Sequence, residues 1–165
     1  TAGRGCRSIE SQLEDAAVTY LEFKFERGGT LRAKLIDKAA KTIACVKRDL
    51  PVTKTVFQAR WSGREIFVPV QLTEKPPREC QSIRAGIGDV IYFFEWPDGY
   101  DQTGFEAIGM FYGNEIVREW RGESAVNVFA HIDESQWDLM REIGERVWRT
   151  GGESIAIRMI DDGAA

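Results

Sequence analysis

The sequence predicts a mainly β, α+β protein: a closed barrel of about eight strands with two helices. Short runs in which apolar residues alternate with polar ones recur from residue 19 to residue 132. Only two segments carry apolar residues at helical spacing. The last third runs from a strand into a capped helix, a Gly151-Gly152 stop and a final strand. That order predicts a small barrel closed by a helix plug.

The first elements are a hairpin and a helix. Apolar and charged residues alternate over 21–25 and again over 31–35, on either side of a Gly28-Gly29 turn. Asp37 is predicted to cap a helix over 39–50, where apolar residues recur every three or four positions until a proline ends the pattern.

The middle of the chain is predicted to contain most of the barrel strands. These are residues 54–61, 65–72, 90–94, 105–112, 115–121 and 126–132. The first two should pair across Ser62-Gly63, and 105–112 should pair with 115–121 across Gly113-Asn114. Residues 96–104 are predicted to form a surface loop, because they contain a proline and two glycines.

The closing helix is predicted to begin at Asp133. Its carboxylate can accept a hydrogen bond from the first turn, and Gln136 three residues later completes a capping-box pattern. One apolar stripe should pack on the sheet: Trp137, Met140, Ile143, Gly144 and Val147. The final strand is predicted over residues 154–160.

A single domain is expected over residues 19–162, after a flexible N-terminal segment over 1–18. The chain of 165 residues is long enough to bury a core without disulfides or metal. Its net charge is −4, and its Lys and Arg residues are scattered among acidic ones. Because no basic surplus remains to neutralise phosphates, neither nucleic acid nor a membrane is expected as a partner.

Redox and metal chemistry are not indicated. Cys6, Cys45 and Cys80 form no C-x-x-C pair, and His131 is the only histidine. We therefore expect no metal, no cofactor and a reducing cytoplasmic location. His131 is predicted to be a structural or surface residue, and Cys80 the most exposed thiol. No apolar run approaches the ~20 residues needed to cross a bilayer.

The order of these elements resembles the cyclophilin-like superfamily over roughly residues 19–160. Four segments stand in matching places: 31–35, 41–43, 128–132 and 155–157. Three others look like a small bacterial branch of unknown function rather than the prolyl isomerases: 59–65, 88–92 and 108–113. The resemblance implies a cyclophilin-like closed barrel.

The catalytic pattern of the isomerases is missing. In that family a catalytic arginine is followed five positions later by phenylalanine, whereas Glu65 follows Arg60 and Pro69 follows Arg64 at that distance. The isomerase histidine would fall near residues 126–127, which are valine and asparagine. Classical prolyl isomerase activity is therefore not expected.

Candidate ligand-binding residues lie on the second hairpin and in the 96–104 loop. They are Arg60, Trp61, Arg64, Phe67, Gln71, Trp96 and Tyr100. Arg60 and Arg64 are four residues apart across a turn, so both guanidinium groups are expected to converge on one anion, such as a carboxylate. The alternative is that both pair with an acid on a solvated face: Glu65, Glu74 or Glu79.

The other candidates would complete a pocket. Trp61 can stack on a planar ligand, Phe67 can supply an apolar wall and Gln71 an amide. Trp96 and Tyr100 are expected to be exposed beside the site or at an interface. Core packing remains the alternative for the tryptophans and the phenylalanine.

Three classes of function remain open, and whether the protein is an enzyme is left undecided. The favoured class binds a small carboxylate- or amide-bearing metabolite in a pocket of the barrel wall. The alternatives are a divergent peptidyl-prolyl isomerase and a non-catalytic interaction or oligomerisation module. For the last, Trp148 at the outer end of the closing helix is a candidate contact in a homodimer.

Overall fold

The structure is a computed structural model, and it describes residues 18–96 and 103–162. Nearly all of the predicted N-terminal segment, residues 1–17, lies outside the described residues. Tyr100 and most of the predicted 96–104 loop also lie outside them.

Within the described residues the chain forms strands β1 to β13 and helices α1 and α2. The strands are β1 (Thr19–Phe25), β2 (Thr30–Leu35), β3 (Val52–Gln58), β4 (Glu65–Pro69), β5 (Gln81–Ser82), β6 (Arg84–Ala85), β7 (Asp89–Phe94), β8 (Glu106–Phe111), β9 (Glu115–Ile116), β10 (Arg118–Glu119), β11 (Gly122–Glu123), β12 (Val126–Ile132) and β13 (Glu153–Asp161). The helices are α1 (Ala40–Asp49) and α2 (Trp137–Thr150), and a single 3-10 turn precedes each.

The main sheet closes on itself, as the sequence predicts. Its strands run in the order β2-β1-β13-β3-β4-β8-β7-β12, and β12 pairs again with β2. Every one of these pairings is antiparallel. The result is a closed eight-stranded barrel with two helices, so the predicted fold class is confirmed.

The barrel strands bury apolar side chains on both faces. On β7, Val90 and Tyr92 belong to the main core inside the barrel, whereas Ile91 and Phe93 belong to a second apolar cluster. This follows from the strand geometry, because successive side chains point to opposite faces. The second cluster lies outside the barrel wall and extends to Val117 in the segment that follows β8. The chain therefore covers part of its own outer wall.

Helix α2 packs as its apolar stripe predicts. Met140, Ile143, Gly144 and Val147 are buried. A Cβ atom at Gly144 would overlap the ring of Tyr112, so the helix can approach the barrel this closely only with glycine at that position.

The predicted helix caps are partly wrong. The carboxylate of Asp133 does accept a hydrogen bond from the Ser135 amide at 3.0 Å. Gln136, however, exchanges two hydrogen bonds with the backbone of Arg32, at 2.8 and 2.9 Å. It therefore holds the helix to strand β2 instead of completing a capping box.

Asp37 does not cap α1. It lies in the preceding 3-10 turn, and the cap residue Ala39 makes no side-chain hydrogen bond. The carboxylate of Glu79 instead accepts hydrogen bonds from the amide and the hydroxyl of Thr42. A side chain distant in the sequence thus satisfies the first turn, which local spacing does not indicate.

The predicted strand 115–121 is also wrong. It is divided into β9, which pairs with β6, and β10, which pairs with β11. The side chain of Asn114 accepts a hydrogen bond from the Ile87 amide at 3.0 Å, so the chain turns towards β6 as it leaves β8. No hairpin forms across Gly113-Asn114 within this described part of the chain.

Candidate functional site

A cavity of about 460 Å³ lies on the outer wall of the barrel, over β4, β7 and β8. The wall contributes outward-facing side chains such as Phe67, Phe93 and Ala107. Segments 59–62 and 117–120 complete the enclosure. Pockets that bind small molecules usually measure about 300–1,000 Å³, so this cavity has the size of a ligand site.

Four phenylalanines form one continuous aromatic wall in the cavity. The ring centroids of Phe57 and Phe67 are 6.0 Å apart, those of Phe67 and Phe105 are 5.8 Å apart, and those of Phe105 and Phe93 are 5.9 Å apart. Rings at these distances pack favourably with one another. Neighbouring rings are inclined to one another by 36° to 78°, so the wall offers an apolar surface with ring faces and ring edges for a ligand.

Glu65, the first residue of β4, places a carboxyl group in this apolar cavity. Burial raises the pKa of Glu65 to about 8, and the neighbouring Ser62 hydroxyl lowers it by less. The ionised form is disfavoured because few groups replace the water that it loses. At neutral pH the Glu65 carboxyl is therefore mostly protonated, and it can both donate and accept a hydrogen bond.

The glycine at position 109 provides the space for this carboxyl group. Gly109 lies on β8 beside β4, and a Cβ atom there would clash with the Glu65 carboxylate oxygen Oε1. It would also lie 3.0 Å from Cδ1 of Ile91. Any larger residue at this position would displace Glu65 or its neighbours.

Glu95 contributes a second carboxyl group to the same cavity, in a different environment. Burial alone would raise its pKa, but hydrogen bonds from Thr103, Trp120 and Phe105 outweigh burial, and the pKa of Glu95 is lowered. The Thr103 amide donates at 2.6 Å and the Trp120 indole at 3.3 Å. Glu95 is therefore ionised at neutral pH.

The cavity thus contains one protonated and one ionised carboxyl group. Two carboxyl groups whose surroundings separate their pKa values can act as a proton donor and a proton acceptor. The arrangement can therefore bind a group that offers hydrogen-bond donors and acceptors, and it has the components for proton transfer.

The mouth of the cavity is lined by a cation and two tryptophans. Arg60 lies there, exposed, with its guanidinium carbon 6.0 Å from the ring centre of Trp61. Trp61 is 51% exposed and Trp120 is 52% exposed. Among the predicted site residues, Arg60, Trp61 and Phe67 therefore lie on this cavity.

The predicted convergence of Arg60 and Arg64 is wrong. The Arg64 side chain lies against the turn after β8, where its Nε donates to Oε1 of Glu115 at 2.6 Å and its Nη2 to the Asn114 carbonyl at 3.1 Å. It does not line the cavity. The turn between β3 and β4 separates the two arginines, and the acid that pairs with Arg64 is distant in sequence.

Gln71 lies apart from the cavity as well. Strand β4 ends at Pro69, so the alternation that would have placed residue 71 beside Phe67 stops there. Gln71 is exposed. The amide that lies on the cavity lining belongs to Gln58, which accepts a hydrogen bond from the Tyr112 hydroxyl at 2.7 Å.

Trp96 is buried, which corrects the prediction that it would be exposed. It is 7% exposed. Its ring packs edge-on against Phe94, with ring centroids 5.3 Å apart, and against Tyr92. It lines a separate, smaller cavity.

Sequence reasoning missed several cavity residues, above all Glu65 and Glu95 as buried acids. The signal was present in the alternation of the strands. Glu65 and Phe67 share one face of β4, and Phe93 and Glu95 follow the same alternation along β7 and just beyond it. An acidic residue on the same strand face as outward-facing apolar residues indicates that another segment of the chain covers that face.

The described ranges 18–96 and 103–162 contain no group of three or more His, Cys, Asp or Glu residues placed to hold a metal ion. Within the same ranges, neither helix has the length and apolar character to span a bilayer. His131 makes a contact of 3.0 Å between its Nδ1 and Asp89, away from the cavity lining.

The fold and the site together define a closed antiparallel barrel with a cavity of ligand size on its outer wall. The chain belongs to DUF3830, a family of proteins of unknown function, whose pattern matches residues 25–159. No curated protein matches this sequence significantly.

Solved structures of other proteins resemble the barrel, among them two that match 88% and 89% of this chain. One is McbB in complex with tryptophan, with a TM-score of 0.63 and 14% identity over 88% of this chain. The match covers 45% of McbB, so this chain spans less than half the length of that protein. The other is the hypothetical protein AF2241 from Archaeoglobus fulgidus, with a TM-score of 0.56 and 22% identity over 89% of this chain and 98% of that one. At these identities the likeness shows the fold alone.

Proposed function

We propose that this protein binds a small organic molecule with a planar apolar body and a carboxylate or amide group in the 460 Å³ cavity of its barrel wall. The observation that carries the proposal is a buried carboxyl group, Glu65, in a cavity whose surface is mainly apolar and includes four phenylalanines. Buried polar groups in apolar cavities are costly unless a partner satisfies them. The Ser62 hydroxyl is one partner of the Glu65 carboxyl group, and a bound ligand would supply a further one.

The chemistry of the cavity favours an amide or carboxylate. A protonated carboxyl such as that of Glu65 donates through its O–H and accepts through its carbonyl oxygen, so it matches an amide group. Arg60 at the mouth can hold a carboxylate by two parallel hydrogen bonds. The phenylalanine wall would pack against the planar part of the ligand.

The kinship with the small bacterial cyclophilin-like barrels is part of the same proposal. The eight-stranded closed barrel and the two helices support it. Binding in place of classical isomerisation follows from the missing phenylalanine five residues after Arg60. The cytoplasmic location remains a prediction.

Thermal-shift screening against carboxylates, amides and cyclic imides tests the proposal. L-tryptophan belongs in the screen, because it combines a planar ring with a carboxylate and McbB was solved with it. A ligand that binds only the folded protein raises its melting temperature. We expect stabilisation that weakens in Arg60→Ala or Glu65→Gln.

Arg64→Ala is the matched control. Arg64 is a similarly exposed arginine at the same turn but lies outside the cavity. Its replacement should leave the ligand-induced shift unchanged. Equal loss of the shift in Arg60→Ala and Arg64→Ala, or no loss in Arg60→Ala and Glu65→Gln, would show that the ligand binds elsewhere.

A further inference from the structure

A second, smaller cavity of about 130 Å³ lies beside the β10–β11 hairpin. Trp96, Glu119 and Arg121 contribute to its lining. Glu119 also lines the larger cavity, so the two cavities share one side chain as a wall. The smaller cavity is mainly polar, whereas the larger one is mainly apolar.

Three buried polar atoms at this cavity lack a hydrogen-bond partner in the described structure. They are Nε1 of Trp96, Nη1 of Arg121 and Oε2 of Glu119. The side chains of Arg121 and Glu119 are 8% and 12% exposed, and they bond to each other through Nε and Oε1 at 2.7 Å. Because buried polar groups are nearly always satisfied, these atoms indicate a missing partner.

The unsatisfied atoms are two donors and one acceptor. Two acids, Glu119 and Glu123, and two arginines, Arg78 and Arg121, line the cavity. A carboxylate would therefore be repelled by the acids, and an ammonium by the arginines. An uncharged group that both accepts and donates avoids both conflicts. Its oxygen can accept from Trp96 and Arg121 while its N–H donates to Glu119.

We propose that the smaller cavity is a second binding site, and that it takes a small uncharged amide, such as a primary carboxamide or a urea group. The volume suits such a group and excludes a large ring. The site does not depend on the proposed function of the larger cavity, since Trp96 and Arg121 line only the smaller cavity and Glu119 alone borders both.

The indole N–H groups report on the two cavities separately. In a ¹⁵N-labelled protein, the Trp96 signal reports on the smaller cavity, and the Trp120 indole, which donates to Glu95, reports on the larger one. Trp96→Phe and Trp120→Phe assign the two signals. Acetamide, acetate and methylammonium serve as probes of similar size.

We expect acetamide to shift the Trp96 signal in a saturable manner, while acetate and methylammonium leave it in place. Glu119→Gln keeps the shape of the side chain but replaces its charged carboxylate with an amide, which is a weaker hydrogen-bond acceptor. This variant should bind acetamide about fivefold or more weakly. Trp148→Phe, at an exposed site on α2, is the control for a change of tryptophan alone.

Three results would overturn the inference. If no probe moves the Trp96 signal, the three atoms are satisfied by water alone. If acetate moves it as much as acetamide does, the site is selective for anions and not for amides. A shift of the Trp120 signal alone would place the probe in the larger cavity, which rejects this inference but supports the proposed function.

Discussion

At the scale of single residues, two glutamates of similar burial have opposite protonation. Glu65 is 7% exposed and Glu95 is 2% exposed. Burial raises the pKa of Glu65 to about 8, whereas hydrogen bonds led by Thr103 overcome the effect of burial and lower the pKa of Glu95. Glu65 is the more strongly desolvated of the two, and Glu95 has more hydrogen-bond donors around it. Those donors come from segments that are separate from Glu95 in the sequence.

Glu65 should make stability depend on pH between about 4.5 and 8. Its pKa is higher in the folded protein than the ordinary value of 4.5. The folded state therefore retains a proton that the unfolded chain loses, so the free energy of unfolding falls as pH rises through this window and levels above it. A shift of this size corresponds to roughly 3–6 kcal/mol.

Urea unfolding of Glu65→Gln at pH 5 and pH 9 measures this contribution. In the variant, the free energy of unfolding should no longer fall between pH 5 and pH 9, and at pH 9 the variant should be more stable than the original protein. Glu95→Gln is the opposite control: the lowered pKa of Glu95 contributes stability above 4.5 that is lost as pH falls, so its replacement should cost most at neutral pH. If the free energy of unfolding falls with pH in Glu65→Gln as it does in the original protein, Glu65 is not buried in its neutral form.

At the scale of elements, periodicity predicts what each segment is but not what its ends contact. The stripe of α2 is read correctly from spacing, because a helix repeats its faces every three to four residues. Gln136 and Asp37 are misjudged because their predicted roles are local, whereas the contacts that form come from β2 and from Glu79. The predicted 115–121 strand is wrong for a related reason, since residues 115–116 pair with the distant strand β6 and residues 118–119 pair separately with β11.

Gly144→Ala tests the packing of α2. In an isolated helix this change is favourable, by about 1 kcal/mol. Here the new methyl group would overlap the ring of Tyr112, so the fold should lose about 1–3 kcal/mol instead. Chemical denaturation measures the difference.

The control for that change is Glu142→Ala, at an exposed position of the same helix. It should alter stability by no more than about 0.5 kcal/mol. Stabilisation by Gly144→Ala would mean that α2 does not pack closely against Tyr112.

At the scale of the whole molecule, the barrel follows from the sequence but the site follows only in part. The order of strands and helices predicts closure, and the pairing of β12 with β2 confirms it. The cavity is assembled from segments 57–62, 65–67, 91–95, 103–107 and 117–120. The sequence of one hairpin predicts Arg60, Trp61 and Phe67 as site residues. It does not show which acidic and aromatic residues of other segments line the same cavity.

The outer surface leaves one further prediction open. Trp148 is 58% exposed on α2, with the guanidinium carbon of Arg149 5.1 Å from its ring centre. Its predicted role as a contact in a homodimer stays a prediction.

The most direct measurement is a crystal structure of the protein with the ligand that stabilises it most in the thermal-shift screen. The ligand should lie in the 460 Å³ cavity, with its planar part against Phe67 and Phe105 and its polar group within hydrogen-bond distance of Glu65. A ligand bound at full occupancy anywhere else on the molecule, with this cavity left to solvent, would contradict the proposed function.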